Sequence, residues 1–273
     1  TSQSLGQNGV AQPMFNLLGN ASDPDGVSNV TWSLNSGPES PLSLGWDTYR
    51  LDVPGDFNAE IPSNSLVAGS NTILIRATDG LGNESVELIY LDYTPGVSTS
   101  LPYSIDWTTT PDIQTVSQVV DGDWSLTPTG LRNNEDGYDR VVALGDLDWN
   151  DYEVTARVTL NSVEQYFESP SSGPALGLIV RWPGHTPDGK QPARQWWPLG
   201  GFATYRWLQS GGGLSEFKVL YGDAGVTHDS QFQPISFQTG VPYVFKVRVE
   251  TNPDASTTYS YKLWRESDGE PVD

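Results

Sequence analysis

Residues 151–160 read Asp-Tyr-Glu-Val-Thr-Ala-Arg-Val-Thr-Leu, and their polarity alternates at almost every step. In an extended chain Tyr152, Val154, Ala156, Val158 and Leu160 fall on one side, and Glu153, Thr155, Arg157 and Thr159 on the other. A helix would scatter the same residues around its circumference, so only a strand gathers them into one apolar face. The rule recurs in residues 244–250, where Lys246 and Arg248 oppose Phe245, Val247 and Val249, and again in 259–264 and 177–182. No segment longer than about two turns carries a convincing 3.6-residue apolar period. Gly, Pro, Asn, Asp, Ser and Thr punctuate the chain between short runs. An all-β protein is expected.

Residues 94–103, Thr-Pro-Gly-Val-Ser-Thr-Ser-Leu-Pro-Tyr, have the composition of a short linker and divide the chain into 1–95 and 96–273. The first part offers candidate strands at 30–34, 49–53, 56–61, 71–78 and 85–92, with turn signals about every ten residues, the rhythm of a sandwich. Its last two strands flank Asp79-Gly-Leu-Gly-Asn83, and an early loop reads Gly19-Asn-Ala-Ser-Asp-Pro-Asp-Gly26. These stretches resemble bacterial immunoglobulin-like domains, which implies a spacer or packing partner more than an activity. The second part runs from Asp-Gly-Asp-Trp124-Ser-Leu through the strand at 151–160, Gly-Leu-Ile-Val-Arg-Trp182, and the pair 243–250 and 261–264. That order is similar to a concanavalin A-like or laminin G-like jelly roll. The expected fold is therefore an immunoglobulin-like sandwich followed by a jelly roll. Modules of this kind close with a strand pairing near their first, whereas 266–273 is turn-rich; a fragment, a processed chain, or a C-terminal sheet edge completed by a partner chain is expected.

A net charge of −20 argues against nucleic acid and anionic membrane surfaces as partners. No apolar run reaches spanning length, so membrane insertion is not expected. The chain has no cysteine, which excludes thiol nucleophiles and Cys-ligated zinc. Such acidity suits an extracellular or cell-surface protein, and the resemblance to bacterial immunoglobulin-like domains implies a bacterial one.

Trp182, Trp196, Trp197 and Trp207 stand within thirty residues of one another, together with Arg181, Arg194 and Arg206. Indole faces stack on the C–H faces of sugars, and guanidinium forks grip hydroxyls, carboxylates or sulfates. Strand alternation places Trp182 with the core residues Leu178 and Val180, leaves Arg181 outward, and turns Trp196 and Trp197 to opposite faces. The non-core faces of three strands carry Arg157, Lys246, Arg248 and Lys262. If the strands are neighbours these form a basic strip suited to an anionic glycan, with cross-strand ion pairing as the competing reading. The loop 183–192 would wall a groove beside Trp182 and Trp196, and Gly211–Gly213 reads as a hairpin tip. For structural Ca²⁺, Asp23, Asp25 and Asp79 supply loop carboxylates in the first part, and Asp121 and Asp123 in the second. Asp-Gly pairs are also ordinary turn formers.

The alternating two-glutamate strand of laminarinase-type jelly-roll hydrolases is absent, as is the Gln-x-His strand of alginate lyase types. His185 and His228 lie in polar, turn-rich stretches and read as solvated loop residues; a lyase site around His185 is the catalytic alternative. The favoured reading is a secreted lectin-like module that binds a polysaccharide, anionic ones included, by stacking and Arg/Lys contacts. A polysaccharide-degrading hydrolase or lyase, or a structural and adhesive module of a larger surface protein, are the alternatives.

Overall fold

In the computed structural model, residues 1–163, 174–207, 216–223, 228–229 and 237–272 are described; the Gly211–Gly213 tip lies outside them. The chain is all-β, with no α-helix among the described residues. It forms two compact units. One comprises Thr1–Asp148 with Gly184–Gln195, the other Trp149–Pro183 with Trp196–Asp273.

The first unit opens with β1 (Ser2–Leu5), β2 (Met14–Asn20), β3 (Val27–Leu34), β4 (Ser40–Leu42), β5 (Asp56–Pro62), β6 (Gly69–Asp79) and β7 (Glu84–Tyr93). Five of them form a sheet in the order β1-β7-β6-β3-β4, and β2 pairs with β5 in a second. Between the two sheets lie Phe15 and Leu17 from β2, Phe57, Ala59 and Ile61 from β5, and Val30, Ile73, Ile75, Ile89 and Leu91 from the larger sheet. It is a sandwich built by alternation, as the sequence implies. Its turn Gly80–Asn83 is fixed by Asp79, whose Oδ1 accepts the amides of Leu81 and Asn83.

Residues 49–53 depart from the strand expected there. Asp47 Oδ1 accepts the amides of Tyr49, Arg50 and Leu51, at 2.9, 3.0 and 3.0 Å. Those donors are thereby withdrawn from any sheet ladder, and the segment is a loop.

Four short strands follow in the same unit: β8 (Gln118–Asp121), β9 (Trp124–Thr127), β10 (Gly130–Asn133) and β11 (Val141–Ala143). They pair as β8-β11 and β9-β10. Gln118 Nε2 donates to the Met14 carbonyl at 2.9 Å, and Asn58 Nδ2 to the Val120 carbonyl at 3.0 Å. These bonds fasten residues beyond the linker to β2 and β5. The compact units accordingly divide at 148/149, not near residue 95.

The second unit contains β12 (Tyr152–Thr159), β13 (Ala175–Val180), β14 (Gly200–Arg206), β15 (Glu216–Gly222), β16 (His228–Asp229), β17 (Pro242–Thr251) and β18 (Thr257–Arg265). One sheet has the order β12-β17-β18, the other β13-β14-β15-β16. Phe245, Val247 and Val249 of β17 pack with Val180, Ala203, Tyr205, Phe217 and Val219 of the opposing sheet, and the inward residues of β12 complete that core. This too is a sandwich. Strand β13 stops at Val180 because Arg181 takes a left-handed conformation, φ 54°, with its amide donating to the Tyr152 hydroxyl at 2.8 Å.

Candidate functional site

The most exposed large aromatic among the described residues is Trp46, at 59%. It stands on a loop whose backbone is pinned on both sides. The Gly45 amide donates to the Asp56 carbonyl at 2.8 Å, and the Asp47 amide to the Leu51 carbonyl at 2.9 Å. Asp47 Oδ2 lies 3.9 Å from Arg194 Nη1, and Asp188 lies 3.7 Å from Arg194 Nε. The guanidinium carbon of Arg194 sits 4.4 Å over the Tyr49 ring, and Tyr49 meets Tyr138 edge-on at 5.3 Å. Three loops of the first unit thus bring two phenols and a guanidinium into one contact chain, and the exposed Trp46 is the chain neighbour of Asp47 in it. Of these residues only Arg194 was marked by the sequence. Trp46, Tyr49 and Tyr138 are dispersed along the chain, and Asp47, which organises their loop, resembles any turn residue.

The anticipated tryptophan platform takes another form. Trp182 and Trp196 stack on each other, centroids 4.6 Å apart and planes 25° apart, and Trp182 Nε1 donates to the Trp196 carbonyl at 3.2 Å. One face of each ring is thereby occupied. Trp196 and Trp197 lie in a loop, not in a strand, and both are half-buried. Trp207 packs against the second unit's core, edge-on to Tyr205 at 4.5 Å.

Arg181 joins strand ends instead of pointing away from the protein. Its guanidinium donates to the Asn150 carbonyl at 2.7 Å, Asp151 at 3.0 Å, and the hydroxyls of Thr251 and Thr257 at 2.5 and 3.1 Å. Arg206 is half-buried at the end of β14.

The basic strip does assemble on the β12-β17-β18 sheet, since Arg248 faces Glu153 and Lys246 faces Lys262 across the register. Carboxylates interleave with it. Glu153 pairs with Arg248 at 2.8 Å and Lys246 at 3.3 Å. Glu270 pairs with Lys246 at 2.8 Å and Lys262 at 3.3 Å, and Glu266 with Arg157 at 2.8 Å. Its hydrogen bonds to Lys246 and Lys262 hold the Glu270 carboxyl below the usual glutamate range.

Of the five candidate metal ligands, Asp23, Asp25 and Asp79 gather, each offering an oxygen within 4.8 Å of the others. The Gly80 amide, donating to the Gly26 carbonyl at 2.9 Å, ties the two loops together. Hydrogen bonds from Asn83, side chain first, lower the Asp79 pKa. Oxygen donors on loops are the ligand class of Ca²⁺. Asp121 and Asp123 part company across Gly122. Asp123 is exposed and accepts Asn134 Nδ2 at 3.1 Å, whereas Asp121 is fully buried.

Asp121 belongs to a polar centre inside the first unit. Arg50, with no side-chain exposure, donates to Asp121 Oδ1 at 2.7 Å, Glu60 Oε1 at 2.6 Å, Asn16 Oδ1 at 3.2 Å and the Ala193 carbonyl. Burial works against its charge, but Asp121 and Glu60 outweigh that and raise its pKa. On the far side of Asp121, His185 Nε2 stands 3.3 Å from Asp121 Oδ2 and 3.7 Å from Asp139 Oδ2. The side chains of Asp121, Asp139 and His185 are 0%, 2% and 1% exposed. Burial first, then the Asp121 charge, pushes the Asp139 carboxyl well above the usual aspartate range. The expectation that His185 is a solvated loop residue is overturned. His228 is exposed and stacks on Tyr221 at 5.5 Å. Nothing local in the sequence joins Asp121, Asp139 and His185, which come from three separate segments.

No protein-family model and no curated protein matches the chain.

Proposed function

We propose that the chain is a carbohydrate-binding module of a secreted or cell-surface bacterial protein, an immunoglobulin-like sandwich followed by a jelly roll. The observation that carries the binding reading is Trp46, a large flat ring left in solvent on a pinned loop whose Asp47 reaches toward Arg194. A monomer gains nothing from exposing an indole, whereas a sugar ring presenting its C–H face removes that apolar surface from water. Holding the ring on a fixed backbone avoids ordering cost on binding. Arg194 and its carboxylates Asp47 and Asp188 supply donors and acceptors for hydroxyls around the stacked ring.

Because Lys246, Arg248 and Arg157 are matched by carboxylates, we favour Trp46 and Arg194 over the β12-β17-β18 sheet as the binding surface. The Asp23, Asp25 and Asp79 cluster is assigned to structural Ca²⁺.

Affinity electrophoresis against neutral, uronate-bearing and sulfated polysaccharides tests the reading. Retention by at least one of them, weakened about tenfold or more in Trp46→Ala with an unchanged melting temperature, is the expected result. Equal migration in every gel, or full retention of the folded variant, would remove it.

A further inference from the structure

We propose that Asp121, Asp139 and His185 bind a divalent transition ion of the zinc type, which staples three distant segments of the first unit. Asp121 ends β8, Asp139 precedes β11, and His185 belongs to the segment 184–195 that the chain contributes to this unit after leaving it.

Three observations carry the assignment. The first is convergence: His185 Nε2 and one oxygen of each aspartate all lie within 4.8 Å of one another. Ligands about 2.0–2.2 Å from a tetrahedral zinc stand about 3.3–3.6 Å apart along the edges. The two Nε2–oxygen separations, 3.3 and 3.7 Å, match that figure.

The second is vacancy of the ligand atoms. Asp121 Oδ2 and Asp139 Oδ2 are buried and make no hydrogen bond among the described residues. Leaving carboxylate oxygens dehydrated and without donors is costly unless a cation meets them. Arg50 already serves the other oxygen of Asp121.

The third is charge. Arg50 is shared between Asp121 and Glu60, and the Arg140 guanidinium turns to Asp52 at 3.0 Å and Glu135 at 3.7 Å. Among the described residues neither guanidinium forms an ion pair with the Asp139 carboxylate, whose near neighbour is the His185 ring, and a divalent ion supplies the missing charge.

The donor set selects the metal. One imidazole nitrogen with two carboxylate oxygens suits zinc and its first-row neighbours. Ca²⁺ requires six to eight oxygens. Three protein ligands leave a fourth position for a small ligand such as water. The near-complete burial of all three side chains makes the role structural: in a chain with no cysteine, the ion performs the cross-linking that a disulfide would provide.

The full chain, stripped with a chelator and then exposed to Zn²⁺, is passed over a gel-filtration column, and retained metal is measured by mass spectrometry. The expected result is about one zinc per chain, a melting temperature raised by the metal, and loss of that zinc in Asp139→Asn and in His185→Gln. An Asp23→Asn/Asp25→Asn variant keeps it, which separates this centre from the exposed acidic cluster. Zinc-free wild type, or zinc retained by both folded ligand variants, would overturn the proposal. If the ligand variants do not fold, the histidine nitrogen resonances of the wild type decide. On zinc addition the His185 Nε2 signal moves to a metal-bound shift, and an unmoved signal overturns the assignment.

Discussion

Arg50 gathers four acceptors in a region that excludes water: Asp121, Glu60, Asn16 and the Ala193 carbonyl. A lysine could not replace it, because one ammonium cannot present the planar fork these acceptors surround. Removing the guanidinium strands two buried carboxylates, a loss of about 3–5 kcal/mol for a buried pair. Arg50→Ala should therefore destabilise the protein by about that amount in urea denaturation, and Arg50→Lys should recover little. A loss below about 1 kcal/mol would show that water reaches the carboxylates once the side chain is gone. Residues of this kind were the least legible. Arg50 lay inside an apparent strand, and His185 in a loop whose composition signals exposure. What buries them is contact between segments far apart in the chain, Arg50 with Asp121 and Ala193 and His185 with Asp121 and Asp139, which no local pattern encodes.

The strands were legible where one face meets a core and the other meets water. Strands β12, β17 and β18 follow their alternation, and their outward Arg, Lys and Glu residues then pair across the register. The alternation could not reveal whether those cations would find carboxylates. Two of the partners, Glu266 and Glu270, come from the turn-rich tail. Glu270 titrates below the usual glutamate range in the folded state, so its contribution to stability is present above the unfolded-state pKa and lost as pH falls through the lowered one. A carbon-detected NMR titration should give Glu270 a midpoint below that of an unfolded-chain glutamate, and Lys246→Met should move it upward. An unchanged midpoint would mean that the pair is not maintained in solution. Where alternation ended, so did legibility. Arg181 reads as a strand residue, yet its left-handed backbone terminates β13 and leaves Trp182 in a loop.

Two cores built from separate residues divide the whole molecule, one between the sheets of the first sandwich and one around Phe245, Val247 and Val249. Separate cores predict separable unfolding. Gly177 of β13 has no room for a Cβ, which would overlap the Ala203 carbonyl oxygen of the neighbouring strand, so Gly177→Ala disturbs the second core alone. Calorimetry should resolve two transitions, with Arg50→Ala lowering one and Gly177→Ala the other. A single transition lowered by both would show that the units unfold together. The linker at 94–103 was visible in the sequence but does not bound a unit, because residues beyond it bond back to β2 and β5.

The return of Gly184–Gln195 to the first unit also sets an order of events during synthesis. Residues 1–148 leave the ribosome carrying Arg50, Asp121 and Asp139, but the Ala193 carbonyl and the His185 ring do not yet exist. Roughly fifty further residues must be polymerised, which takes on the order of several seconds at typical elongation rates. Through that interval the nascent sandwich lacks the carbonyl that Arg50 meets and the ring that faces Asp121 and Asp139. A chain stalled before residue 195 should remain open there, vulnerable to proteases at a point that the finished protein keeps closed.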